Sequence, residues 1–395
     1  MTQSPSSNPF LSGLLMGSAL LFLAPIQAGD VDIDWLITSH PCSSTNGTDA
    51  LHRDSDGTLW VGCGDSAEGI GLFTSADGGD TWTEVTTTPF GWAEDFRFLT
   101  ISRGHDGALY GSGNDTLSGG RRSLRFDTSG SMPYPTTANL IAGETIETSF
   151  RVGGYAELSD GRALASSFSS GTRLFRPDST TDPSAGFWTQ LPVTGTYLDL
   201  IVFDNAFYAS GSNIAAPPRV YLPPQDPTAE PWELVEVILD SNIDGELYGI
   251  AANERRVVGV GVDQDRDVGK IFVSGEDIYD PSDYTVFDMP NIVGPGGVGT
   301  WARGVCMLDD TIVVVGERQP LSTNTGRVML STDGGISFSN ITPSQSGRSI
   351  SRCVIADGVV TVVGTSGYVG RYTLPEPADE IFMDDFEVNS YIPLR

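Results

Sequence analysis

The side chains in this sequence that could do chemistry are spread thinly along it. Carboxylates at Asp95, Glu147, Asp199 and Glu246, the Tyr248 phenol, the Trp301 indole and the guanidinium groups of Arg97, Arg303, Arg348 and Arg352 are those a loop surface could gather. Two opposed carboxylates can divide acid and base roles in cleaving a glycoside. Arginines grip a carboxylate through two parallel hydrogen bonds. Asp199, Glu246 and Tyr248 are therefore the catalytic candidates, and Asp95, Arg97, Glu147, Trp301, Arg303, Arg348 and Arg352 the ligand-binding ones. Taken singly, each is most simply a solvated rim charge or half of an ion pair. Asp263-x-Asp265-x-Asp267-x-Gly269 also alternates carboxylates as a calcium loop does. Its glycine falls one place late for an EF-hand, and Ser274 stands where the closing Glu belongs, so no cofactor is expected beyond this weak calcium candidate.

Residues so far apart must be positioned by something regular, and the sequence repeats. An apolar stretch, a turn pair such as Asp-Gly and an alternating strand recur, with the turn beginning at 56, 106, 160, 204, 253, 309 and 357. Asp-Gly between alternating apolar runs signals a hairpin, because the turn needs positive φ. A second strand pair follows each hairpin, as in Leu72 to Ser75 leading to Trp82 to Thr86, or Val220-Tyr221 leading to Trp232 to Leu234. No stretch keeps a 3.6-residue period, so almost no helix is expected. Seven units of about 50 residues with four strands each predict an all-β, seven-bladed β-propeller of four-stranded antiparallel blades. The last unit lacks its fourth strand, and Asp34 to Thr38 repeats the pattern of Trp82 to Thr86, so residues 31–38 are expected to supply it and close the ring. In such a ring, the loops entering the innermost strands and joining the second and third strands build the face where ligands meet, and the hairpin turns lie opposite.

Ser75-x-Asp77-x-Gly79-x-Thr81-Trp82 follows the pattern S-x-D-x-G-x-T-W in full, and Ser331-x-Asp333-x-Gly335-x-Ser337-Phe338 follows it with conservative changes. These two segments resemble the Asp boxes of BNR-repeat propellers, a group that includes sialidases, endoglucanases, sortilin-type receptors and assembly factors of the Ycf48 type. The resemblance implies a structural role: the Asp holds a tight turn, the Gly supplies a permissive φ and the aromatic packs between sheets. Sialidases also carry a Tyr/Phe-Arg-Ile-Pro motif before the first box, three arginines on a carboxylate and a Tyr-Glu pair. Here Phe96-Arg97-Phe98-Leu99 follows the first box and lacks the proline, while Arg303, Arg348 and Arg352 are the arginines that adjacent repeats could contribute.

Residues 1–28 carry no charge, hold an apolar run from Leu11 to Ala24 and end on Ala28, which reads as a secretory signal cleaved after Ala28. The propeller then spans 29–374, and an acidic tail occupies 375–395. Asp379 to Glu387 in that tail is similar to the IF-x-D-G-F-E endings of some secreted Gram-negative bacterial proteins, with Asp385 in place of the glycine. Export makes paired cysteines the default. Cys306 and Cys353 each stand four residues before a turn residue, Asp310 and Asp357, and Cys42 and Cys63 flank the first unit, so Cys42–Cys63 and Cys306–Cys353 are the expected bridges among three connectivities. A metal site from His40, Cys42, His52 and Cys63 lacks the tight spacing of such ligands.

The whole chain of 395 residues has 22 basic against 51 acidic residues, a net charge of −29, with Lys270 its only lysine. That balance disfavours nucleic acid and anionic membrane surfaces as partners. Once the signal is removed, no membrane insertion is expected. The reading that results is a secreted, non-catalytic propeller that binds a protein or a carbohydrate at its loop face. The alternative is a secreted glycoside hydrolase.

Overall fold

A computed structural model describes residues 35–39, 48–63, 72–84, 96–104, 107, 109–115, 121–127, 134–137, 151–168, 174–177, 188–191, 197–211, 216–290, 299–318, 326–344 and 349–375. Among them the chain is all-β, broken only by two one-turn 3-10 segments at Pro281–Asp283 and Thr365–Gly367. No helix of the described residues is long and apolar enough to cross a membrane.

The strands form seven four-stranded sheets, antiparallel throughout. After β1 (Trp35–Ser39), the first sheet is β2 (Thr48–Arg53), β3 (Leu59–Cys63), β4 (Leu72–Ser75) and β5 (Thr83–Glu84). The second is β6 (Phe96–Arg103), β7 (Leu109–Asp115), β8 (Arg121–Asp127) and β9 (Tyr134–Thr137). The third is β10 (Arg151–Glu157), β11 (Ala163–Phe168), β12 (Leu174–Pro177) and β13 (Trp188–Gln190). The fourth is β14 (Tyr197–Phe203), β15 (Ala206–Gly211), β16 (Arg219–Leu222) and β17 (Val235–Ile238). The fifth is β18 (Gly245–Ala252), β19 (Val257–Asp263), β20 (Val268–Val273) and β21 (Thr285–Asp288). The sixth is β22 (Thr300–Leu308), β23 (Thr311–Arg318), β24 (Gly326–Ser331) and β25 (Ser339–Asn340). The last runs β26 (Ile350–Ala356), β27 (Val359–Gly364), β28 (Tyr368–Thr373) and then β1.

The turns between first and second strands sit where the repeat placed them, and positive φ marks most of them. Gly57, Gly107 and Gly161 adopt it after Asp56, Asp106 and Asp160, while Asp204-Asn205 and Asp357-Gly358 adopt it at both positions, the demand of a two-residue hairpin. In the fourth sheet the outer strand starts at Val235 rather than at Trp232, and Trp232 instead packs half-buried against the core cluster that includes Phe207 and Tyr221. The core lies between neighbouring sheets, with β-branched second strands such as Val257–Asp263 buried along their whole length.

Each first strand carries one extra residue opposite its partner, a β-bulge. The bulged residues are Asp49, Leu99, Gly153, Leu198, Tyr248, Arg303 and Ser351, one in each sheet. A bulge bends the strand and re-aims a side chain. The first strands contact one another in the order β2, β6, β10, β14, β18, β22, β26 and back to β2. Glycine permits the closest of these approaches: a Cβ on Gly304 would lie 2.6 Å from the Ser351 carbonyl oxygen.

β1 is the outer strand of the last sheet and pairs with β28 from Trp35↔Tyr372 to Ser39↔Tyr368. It runs one residue past the expected 31–38, and residues 31–34 lie outside the described ones. Its side chains also reach the sheets on either side. Trp35 Nε1 donates to the Ile341 carbonyl at 2.8 Å, and Thr38 Oγ1 donates to the Gly79 carbonyl at 3.0 Å. Arg53–Asp357 and Arg371–Asp80 ion pairs join the same first and last sheets.

Candidate functional site

The two segments with Asp-box spacing fold alike. Ser75 Oγ donates to Asp77 at 2.7 Å and accepts from the Gly79 amide at 2.8 Å; Ser331 Oγ does the same with Asp333 and Gly335, at 2.7 and 2.8 Å. The Thr81 and Ser337 amides and hydroxyls then donate to Asp77 and Asp333. Those bonds, led by the Thr81 hydroxyl, hold the Asp77 carboxyl well below the usual carboxylate range. Trp82 packs on Phe73, and Phe338 meets Phe287 edge-on at 5.1 Å. Both carboxylates are engaged by their own turns.

Where the chain enters its first strands, the predicted candidates come together. Tyr248 and Trp301 stack with centroids 5.9 Å apart, and the Arg303 guanidinium lies 4.4 Å from the Tyr248 ring and 4.9 Å from the Trp301 ring. Two of these three, Tyr248 and Arg303, are bulge residues of adjacent sheets, so the bulges account for the meeting. Arg303 is ion-paired with Glu317, which is 7% exposed. Trp301 Nε1 donates to Asp267 at 2.6 Å, and the Gly299 amide reaches the same carboxylate at 3.2 Å. Burial pushes the Tyr248 phenol far up, Arg303 opposing and Glu246 adding through charge and a hydrogen bond. The result is a rigid aromatic and guanidinium platform rimmed by carboxylates. Glu317 carries no sequence motif, and only its register opposite Trp301 could have revealed it.

On the same loop, two carboxylates of the calcium candidate have other partners. Asp263 faces Lys270 at 3.8 Å and accepts from the Arg266 amide, while Asp267 is taken by Trp301 and Gly299. Among the described residues no group of three His, Cys, Asp or Glu side chains is placed to hold a metal. Lys270 is 4% exposed and donates to Asp288 at 2.6 Å, so the single lysine neutralises this loop from inside.

The remaining candidates line a cavity of about 340 Å³ to which every first strand contributes: His52, Ser102, Glu157, Asp199, Ile250, Val305 and Arg352. Asp199 accepts from the Leu200 and Ile250 amides, both at 3.1 Å, which ties β14 to β18. Burial raises its carboxyl pKa, and the charge of Arg352 only partly opposes this. Arg352 Nη1 donates to the Arg303 and Ser351 carbonyls, both at 3.0 Å. Arg303 and Arg352 therefore do not form a joint arginine grip: one guanidinium turns to the aromatic platform and the other to the cavity. Asp95, Glu147 and Arg348 lie outside the described residues, as do Cys42 and the Cys63 side chain; Arg97 is placed only as the second residue of β6. Cys306 and Cys353 are disulfide-bonded across β22 and β26, with Cα atoms 5.7 Å apart.

At the hairpin end of the cavity, Asp54 accepts from His52 at 3.0 Å, Trp60 Nε1 at 2.7 Å and Arg103 Nε at 2.8 Å. Burial alone would raise the Asp54 carboxyl, but the bonds from His52, Arg103 and Trp60 outweigh it and hold the group well below its ordinary range. A carboxyl lowered in the fold contributes stability above its unfolded pKa and loses it as the pH falls. Asp54→Asn is thus expected to flatten the acid limb of a stability–pH curve below about pH 4. Parallel curves for variant and parent would contradict that role.

No protein-family model matches the sequence, and no curated protein matches it. Solved structures do. Ycf48 bound to a D1 peptide superposes with a TM-score of 0.57 at 15% identity, covering 86% of this chain and 97% of that one. Virginiamycin B lyase from Staphylococcus aureus gives 0.59 at 11% identity, over 87% and 100% of the two chains. The Dos1 propeller gives 0.56 at 13%, over 86% and 94%. At such identities the likeness carries the architecture and nothing of the chemistry. The chain is a β-propeller.

Proposed function

We infer that this chain is an exported, non-catalytic propeller that binds a protein or peptide at its loop face. The observation that carries this reading is the Tyr248–Trp301–Arg303 platform, held rigid by Glu317 and Asp267. Aromatic and arginine side chains fixed in place are what interface hot spots are made of, because little entropy remains to be lost on binding. The surrounding carboxylates and the net charge of −29 favour a partner with basic residues. A peptide-bound Ycf48 among the similar structures agrees with a peptide ligand. In this reading the seven sheets are blades of one closed ring, fastened by β1, and the two Ser-x-Asp-x-Gly segments are Asp boxes of the BNR type. Residues 1–28 act as the export signal, and 375–395 are an exported tail.

Peptide and glycan arrays probed with the parent and with Trp301→Ala test the assignment. Basic peptides are expected to bind, and the variant to lose about 30-fold in affinity, the 2 kcal/mol of a hot-spot aromatic. Equal binding by both proteins would overturn it.

One observation favours a glycoside hydrolase as a second reading: the charge of Glu246 acts on the Tyr248 phenol, as in a Tyr-Glu nucleophile pair. The raised phenol pKa weighs against it. Turnover of aryl glycosides that is lost in Tyr248→Phe would establish it.

A further inference from the structure

The two strands that carry the platform, β18 and β22, are each the edge strand of their sheet. An edge strand leaves alternate N–H and C=O groups without a ladder partner, and side chains from elsewhere have to meet them. Around the platform those side chains come from the two flanking sheets. In the fourth sheet, Ser210 Oγ donates to the Leu247 carbonyl at 3.2 Å, and Asp199 accepts from the Ile250 amide at 3.1 Å. These bonds land on either side of the Tyr248 bulge. In the last sheet, Arg352 Nη1 donates at 3.0 Å to the carbonyl of Arg303 itself, the bulge residue of β22. Both bulges are therefore gripped from the cavity side, one from each flank.

Between these braces β18 and β22 meet backbone to backbone. A Cβ on Gly249 would lie 3.3 Å from the Gly304 Cα, and one on Gly304 would lie 2.6 Å from the Ser351 carbonyl oxygen. Gly249 follows Tyr248 and Gly304 follows Arg303, so no side chain cushions a shift of either bulge. The outer groups also attract one another: burial pushes the Asp199 carboxyl up, and the charge of Arg352 pulls it part of the way back. We propose that Asp199 and Arg352 are positioning residues for the loop-face site: from inside the cavity they fix the bulges that aim Tyr248 and Arg303, and so set affinity for the partner without touching it. This assignment rests on the peptide-binding reading of the platform. It gives a role to two residues whose types suggested catalysis or a ligand grip and whose hydrogen bonds end on backbone instead. Loosening the groups that hold a preorganised side chain costs affinity, because the ordering must then be supplied on binding.

The strongest basic peptide from the array is the probe. Asp199→Ala removes the acceptor and Arg352→Ala the donor, and each is expected to weaken that peptide about tenfold. The loss should lie in faster dissociation. Asp199→Asn keeps a carbonyl oxygen for the Ile250 amide and should recover most of the affinity. Ser102→Ala separates positioning from a general loss of stability. It removes a bond of the same kind, from Ser102 Oγ to the Tyr155 carbonyl at 3.0 Å, between two sheets that bear no part of the platform. Its peptide binding should match the parent's. Amide exchange of the free proteins should be faster in Gly245–Ala252 for Asp199→Ala and in Thr300–Leu308 for Arg352→Ala, with the second sheet unchanged. Parent affinity in both alanine variants, or an equal loss in Ser102→Ala, would overturn the assignment and leave the platform standing. A parent that binds no array peptide would remove the loop-face reading and this assignment together.

Discussion

Removing residues 30–39 is expected to abolish cooperative unfolding. The segment is short and lies far in sequence from the strands it joins. In the fold, five residues of β1 pair with β28, and Trp35 meets Tyr372 at 5.4 Å with the rings tilted. Trp35 also bonds to Ile341 in the sixth sheet and Thr38 to Gly79 in the first. Truncating a packed tryptophan costs about 3 kcal/mol, and each lost hydrogen bond about 1 kcal/mol. The unpaired edge of β28 would then be open to association. Against a whole-fold stability of about 5–15 kcal/mol these losses are decisive. A sharp melting transition in the deletion variant would show that β1 is an appendage and not part of the last sheet.

Loss of the Cys306–Cys353 bridge is the second large effect. The bridge joins two adjacent first strands and spans 47 residues of sequence. Closing a loop of that length removes about 4 kcal/mol of chain entropy from the unfolded state. The double variant Cys306→Ala, Cys353→Ala is therefore expected to unfold at a markedly lower denaturant concentration, with the slope of the transition little changed. Reductant should shift the parent in the same direction, and the variant by less. If the double variant matches the parent, the bridge constrains nothing.

The repeat was legible because hairpin turns demand residues that tolerate positive φ, and Asp-Gly at 56, 160 and 357 announces them. The Cys306–Cys353 pairing was also expected, although Cys306 stands three residues before its turn and Cys353 four. The bulges were not legible. Nothing in Leu198, Arg303 or Ser351 marks a strand that carries an extra residue, because a bulge is imposed by the crowding of seven first strands and not by local propensity. Missing them hid why Tyr248 and Arg303 meet and why Arg303 and Arg352 turn to different sides. The partners of the calcium candidate were hidden for a related reason: alternating carboxylates look vacant in sequence, whereas Lys270, Trp301 and backbone amides meet Asp263 and Asp267 in space. Charge followed a similar course. The acidity belongs in part to turns, with Asp77 and Asp333 each spent on its own loop.

The central claim is that ligand meets the face carrying Tyr248, Trp301 and Arg303. Amide hydrogen exchange of the parent, alone and saturated with its strongest array peptide, tests it most directly. Protection is predicted in Gly245–Ala252 and Thr300–Leu308, at the ends carrying the platform, with no change at the turns around Asp56 and Asp357. Protection confined to those turns would place the ligand on the opposite face and contradict the account.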